Sequence, residues 1–236
     1  MTLLGGGFGR KSKPDYAVEA ALLSKMSGGR PVQVVWTRED DLKHGFFHAV
    51  SYQYLKACLD DAGRCTAWNA RTSFSPIGST FSAGAEYGGD GELSLGFMDL
   101  PYEIPNINME NGPAAAHLRI GWLRSVANIY HAFAHGSFAS ELAAAAGRDE
   151  KDYLLQLLGS ERKLDMDNIG LQKPYSNYGD PLETYPIDIA RMRSVVESAA
   201  DSAEWSKQRP KNRACGIAVH RSFPVSYTHL RAHETR

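Results

Sequence analysis

Apolar residues Ala17, Val18, Ala21, Leu22 and Met26 recur at helical spacing, which predicts a helix over 14–27. Pro14 suits its first turn, where a missing N–H costs nothing, and Gly28-Gly29 suits its stop. The run VQVVW (32–36) is β-rich and predicts a strand over 31–37. Two strand-like segments, 50–59 and 65–74, flank Asp60-Asp61-Ala62-Gly63, a sequence suited to a hairpin turn. Residues 78–115 are rich in Gly, Ser, Pro and Asn and give few regular signals. A connection that long is functional or packed on another element. HLRIGWLRSV (117–126) then leads into a helix over 128–146, closed by Gly147. A shorter helix over 149–158 starts at Asp149 with an acidic first turn, and a longer one spans 187–205. RACGIAVH (213–220) reads as a strand. Strands and helices mix without strict alternation, which predicts an α+β fold with a mixed sheet.

The tail from about residue 224, PVSYTHLRAHETR, has no useful period and no apolar face. Two readings stay open: translated cloning or adapter sequence appended to a reading frame, or a native disordered terminus. Either way the expected division is a domain over 1–223 and a tail over 224–236 that packs against nothing.

Charge and composition narrow the function classes. The formal net charge of -1 supplies no global field for nucleic acid, and the scattered aromatics lack a basic interleave. No apolar run approaches the roughly 20 residues of a membrane span. No signal peptide is evident, and the compartment, cytoplasmic or periplasmic, stays open. The three cysteines, Cys58, Cys65 and Cys215, form no CxxC pair, so no zinc or iron–sulfur site is expected within this chain. A Cys58–Cys65 disulfide across the hairpin and buried free thiols are the two readings for the first pair. His131 and His135 lie four apart on one helix face without the glutamate of a zinc-protease motif. With His44, His48, His117 and His220 they read as core or surface histidines.

The candidate chemistry lies in the opening turn, GGGFGRK. A Walker A loop requires glycine where Arg10 stands, and a dinucleotide fingerprint fails at the same position. The physics of the turn is independent of those names. Consecutive glycines allow backbone N–H groups to converge on an anion or oxo group, because no Cβ blocks the approach. Phe8 reads as a packing wedge or a lid on a flat ligand, and Arg10 and Lys11 add positive charge. A flexible glycine-rich segment is the competing reading.

GGGFGRK followed by a helix, then GGRPVQVVWTREDD (28–41), resembles the molybdopterin-binding subunit of the xanthine dehydrogenase/aldehyde oxidase family. The resemblance continues through DDAGRC, GWLRSVANIYHAFAHGSFASELAAAAGRD (121–149) and RACGIAVHRSF (213–223). The last two segments look most like the isoquinoline 1-oxidoreductase β-subunit branch. The resemblance implies that Gly6, Gly7, Phe8, Gly9 and Arg10 border a molybdenum–molybdopterin cofactor, in a dinucleotide form. It implies that Arg124, Ser125 and Val126 make the second wall, with Arg124 steering a carbonyl or ring-nitrogen substrate. Read from the residues alone, Arg124 is equally a surface salt-bridge partner. The implied activity is oxidation of an aldehyde or N-heterocycle with water-derived oxygen. Electrons pass to [2Fe–2S] clusters in an iron–sulfur small subunit. A non-catalytic binding or assembly module that keeps the scaffold is the alternative.

Two departures from the family pattern stand out. Trp122-Leu123 replaces the branch's P-W before the arginine. The glutamate general base of a distal G-x-G-E segment has no counterpart, since Glu39 and Glu141 suit structural roles and Glu234 lies in the tail. The chain is therefore expected to be an internal fragment, with the alanine-rich face of the 128–146 helix left uncovered and no catalytic or metal-ligating residue of its own.

Overall fold

The computed structural model describes residues 6–115, 117–167, 169–223 and the backbone of 226–234. Strands β1 (Ser51–Leu59) and β2 (Cys65–Phe74) form an antiparallel hairpin, and β3 (Asn106–Gly112) adds to β2 in parallel. The hairpin turn is built as its sequence suggests. Asp60 Oδ1 accepts from the Ala62 and Arg64 N–H groups, and Gly63 takes a φ of 73°. Along β1, Leu55, Ala57 and Leu59 face the core while Tyr52, Tyr54 and Cys58 face outward. Cys65 joins the core side, so the two thiols lie on opposite faces. All three cysteines are free, but Cys58 is exposed rather than buried.

Helices α4 (Asn128–Ala145), α5 (Glu150–Leu158) and α6 (Ile189–Ser202) pack beside this sheet. Ile189, Met192, Val196 and Ala200 recur at three- and four-residue spacing and are all buried. Leu154, Leu157 and Leu158 meet them from α5, and Trp68 and Phe97 fill the centre. The helix ends are satisfied locally. Asp149 and Asp188 cap α5 and α6, and Arg193 donates to the Leu155 and Gly159 carbonyls at the end of α5. The alanine-rich face of α4 is covered in part: Ala134, Ala139 and Ala143 are buried, while Ala144, Ala145 and the large side chains of Ile129 and Phe133 are exposed.

His131 illustrates why polar residues enter this core. Its Nδ1 reaches the Leu95 carbonyl at 2.9 Å and its Nε2 reaches Thr72 Oγ1 at 3.0 Å. Gln53 in turn donates to that hydroxyl, so a cross-layer network is closed. Burial pushes the His131 pKa down to about 3, and it is a neutral core residue.

Helix α1 (Asp15–Met26) forms where expected, yet none of its residues is buried. Four elements differ from expectation. Residues 31–37 form no strand, because no described strand lies beside them to complete a ladder; Val35 is exposed and Trp36 Nε1 donates to Glu19. A helix, α2 (Arg38–His44), follows instead, started by a capping box in which Thr37 and Asp40 satisfy each other's backbone N–H groups. β3 arises inside the connection that gave few signals, where a short helix α3 (Asp90–Leu93) also forms.

Strand β4 (Arg213–Arg221) forms as expected and pairs antiparallel with β5 (Ser226–Glu234). This corrects the expectation of a tail that packs against nothing. A strand leaves one row of backbone groups unpaired along its edge, and the backbone of the tail occupies that row on β4.

Candidate functional site

Where α4 begins, the chain brings its opening turn against residues 122–126. Gly9 has a φ of 86°, and a Cβ there would lie 2.6 Å from the Trp122 carbonyl carbon and oxygen. Only glycine permits so close an approach of the two backbones. Phe8 is also in the left-handed region, at a φ of 46°, and its ring folds back over Gly6. On the facing segment, Ser125 and Val126 have φ of 66° and 48°. A β-branched residue in that region is a true outlier, and such strain persists only when the surroundings enforce it. Here the Val126 N–H donates to Leu123 O at 2.8 Å, and the Val126 carbonyl meets His48 Nε2 at 2.9 Å.

These two segments and the end of β4 line one open cleft of about 1060 Å³. Of the residues expected at a cofactor, Phe8, Gly9, Arg124, Ser125 and Val126 face it. The Arg124 guanidinium sits over the Phe8 ring, 4.6 Å from its centroid, so the two expected walls touch. Gly6 and Gly7 lie behind Phe8 and do not line the cleft; Gly7 contributes its carbonyl to the N–H of Arg10. Arg10 also lies outside the lining, which differs from its expected role beside the cofactor. Its guanidinium forms a paired contact with Asp15 at 2.8 and 2.9 Å and a third with Asp41 at 3.3 Å. It clamps the turn to α1 and α2, because two carboxylates hold it more strongly than an open cleft does.

The floor of the cleft was not legible in the sequence. Asn128 Nδ2 donates to the Ser125 carbonyl, which turns its Oδ1 toward His220 Nε2 at 2.7 Å. The proton of His220 is thereby assigned to Nε2. Burial, with a smaller contribution from Arg221, lowers the His220 pKa to about 4, so the ring is neutral near pH 7. Ser222 is 5% exposed and, among the described residues, its Oγ has no partner. Phe223 stacks on Tyr178 at 4.5 Å. His220, Ser222 and Phe223 come from the HRSF end of β4, some 90 residues after Asn128, and only folding joins them.

The donor chemistry of the cleft suits a flat, anionic, oxygen-rich group. No aspartate or glutamate among the described residues lines it. Among the described residues, the N–H groups of Phe8, Gly9, Arg124 and Ser125 reach no carbonyl, and Arg124 has no carboxylate partner. Oriented free N–H groups beside a cation form an anion-binding concavity. The residues present therefore fit a polyanionic cofactor. Glu39 and Glu141 lie exposed on α2 and α4, away from the cleft.

Comparison with known proteins assigns the scaffold. The chain is 32% identical over 226 residues to the "Membrane-bound aldehyde dehydrogenase [pyrroloquinoline-quinone]" of Gluconacetobacter polyoxogenes, covering 92% of this chain and 27% of the relative. It is 25% identical over 241 residues to isoquinoline 1-oxidoreductase subunit beta of Brevundimonas diminuta, covering 98% of this chain and 26% of that protein. The chain thus spans about a quarter of the length of these relatives. The fold matches the aldehyde oxidoreductase of Desulfovibrio gigas with a TM-score of 0.61 at 21% identity, over 92% of this chain and 22% of that one. Among the described residues, no helix is long and apolar enough to cross a membrane. Residues 1–153 match the model of the molybdopterin cofactor-binding domain, and the chain belongs to that family.

Proposed function

We propose that the chain supplies one wall of the cofactor site in a molybdenum-dependent oxidoreductase, as part of a larger subunit. The observation that carries this reading is the meeting of Phe8 and Gly9 with Arg124, Ser125 and Val126 around one carboxylate-free cleft. The substrate class is an aldehyde or electron-poor N-heterocycle, with oxygen derived from water. The electron acceptors are [2Fe–2S] clusters in an iron–sulfur small subunit. The cofactor takes a dinucleotide form, whose extra phosphate calls for donors beyond this cleft. When bound, the molybdenum group supplies Lewis acidity and takes up two electrons from the substrate.

The chain's own residues bind and orient. The Phe8 and Gly9 N–H groups offer donors to oxo or phosphate oxygens, since both residues line the cleft and neither N–H reaches a described carbonyl. Arg124 supplies a fixed cation for charge developing on a carbonyl oxygen or ring nitrogen. Its stacking on Phe8 removes torsional freedom, which lowers the cost of holding it in place. His220 and Asn128 fix the floor by a hydrogen bond that needs no charged group. Among the described residues of the cleft no carboxylate is placed to act as general base, and we assign that role to the remainder of the parent subunit.

The test is metal and pterin analysis of the full-length subunit co-expressed with its iron–sulfur partner, followed by turnover in ¹⁸O-labelled water. Stoichiometric molybdenum and pterin with label in the product support the reading. A bound quinone without pterin, or product oxygen drawn from O₂, overturns it.

A further inference from the structure

Beside the cleft, sharing Ala132 and His220 with it, lies a second, small space of about 20 Å³. Its wall includes Asp99, His135 of α4, Met192 of α6, and His220 and Arg221 of β4. His135 is 4% exposed, and among the described residues neither ring nitrogen has a hydrogen-bond partner. Its near neighbours Trp68 and Phe97 present aromatic rings, with centroids 5.6 and 5.7 Å away. A buried imidazole must direct one N–H and one lone pair somewhere, and native interiors rarely leave both unmet.

Two buried charged side chains line the same space. Asp99 accepts from the Gly96 N–H at 2.7 Å and from Tyr175 Oη at 2.9 Å. Arg221 donates to Asn177 Oδ1 and to the Tyr185 carbonyl, and reaches Asp99 through the Tyr175 hydroxyl, 3.4 Å from Nη1. A water requires about 10–15 Å³ of such space and two or more polar partners. The volume and the polar groups of the lining meet both conditions.

We propose that this space is a binding site for one ordered water, which hydrogen-bonds to His135 and to at least one of Asp99, His220 and Arg221. The water is the missing partner of His135. His220 lines both this space and the cleft, so the water sits between the floor of the cleft and the buried Asp99–Tyr175–Arg221 group. This assignment is independent of any cofactor.

The test is a high-resolution crystal structure of the 236-residue chain, paired with NMR of the ¹⁵N-histidine-labelled protein. The expected map shows one isolated peak within hydrogen-bond distance of a His135 nitrogen and of one of the three other groups. The expected spectrum shows a water cross-peak to the His135 ring, lost in His135→Phe. If that variant fails to fold, the unsubstituted protein alone decides. An empty space, or a His135 nitrogen bonded directly to a protein atom, overturns the proposal.

Discussion

At Gly9, one hydrogen atom in place of a side chain allows the turn and residue 122 to touch. Gly9→Ala must both hold a φ of 86° and relieve a 2.6 Å contact with the Trp122 backbone. The expected outcome is a loss on the order of 1–3 kcal/mol in denaturant unfolding, with Phe8 displaced from Arg124. An unchanged midpoint would show that the contact is not enforced. Arg124 is the residue whose loss should be felt in chemistry rather than in folding. Arg124→Ala in the full-length subunit is expected to lower kcat/KM by about 10²–10³, with its melting temperature unchanged. Arg10→Ala should do the reverse, since its partners are Asp15 and Asp41. The glycine turn and the RSV segment were legible as candidate chemistry, because glycine runs and isolated cations have local meaning. The clamp on Arg10 was not, because Asp41 lies 31 residues away.

Among the elements, α1 and α4 share helical periodicity and differ in what covers them. α4 buries seven of its residues, whereas α1 buries none and exposes Val18, Leu22, Leu23 and Met26. Local opening follows that difference. Hydrogen exchange of the 236-residue chain should find α1 amides at least tenfold less protected than those in the middle of α4. Equal protection would mean that α1 is held by contacts absent from this structure. The strand expected at 31–37 fails for a related reason: a β-rich run specifies an extended backbone, and a ladder requires a neighbour. β3 is the mirror case. NINMENG has weak strand propensity, and its parallel pairing with β2 is what makes it a strand.

Across the whole molecule, buried ionisable groups set the response to acid. Burial lowers the pKa of His131 and His135 to about 3 and of His220 to about 4, all below the unfolded value of 6.5. Each is charged in the unfolded chain and neutral in the fold between those limits, so stability falls as pH drops below about 6.5. Asp99 acts in the opposite sense. Burial raises its pKa to about 6 from 3.8, so its contribution is full below 3.8 and is lost as pH rises toward 6. Three histidines outweigh one aspartate, and unfolding near pH 5 should take up protons. Asp99→Asn should steepen the loss of stability between pH 6 and 4, measured by urea titration. A shallower slope would refute the assignment. The isolated chain, assayed with cofactor and an electron acceptor against aldehydes and heterocycles, should show no turnover above background. Absence of a general base typically costs about 10²–10⁴ in rate, and turnover would show a more complete site than the cleft provides.

By itself the sequence determined the elements whose signals are local. Helices α1, α4, α5 and α6 follow from spacing and caps, the β1–β2 hairpin from its Asp-Asp-Ala-Gly turn, and the family from ordered motifs along the chain. Tertiary structure alone decided which of those motifs meet. It placed Arg124 over Phe8 and His220 beneath Asn128, turned Arg10 away to its carboxylates, and left a small space beside His135. Periodicity and capping are short-range preferences of the backbone, whereas a site is a set of distances between residues far apart in the chain, fixed only when the core packs.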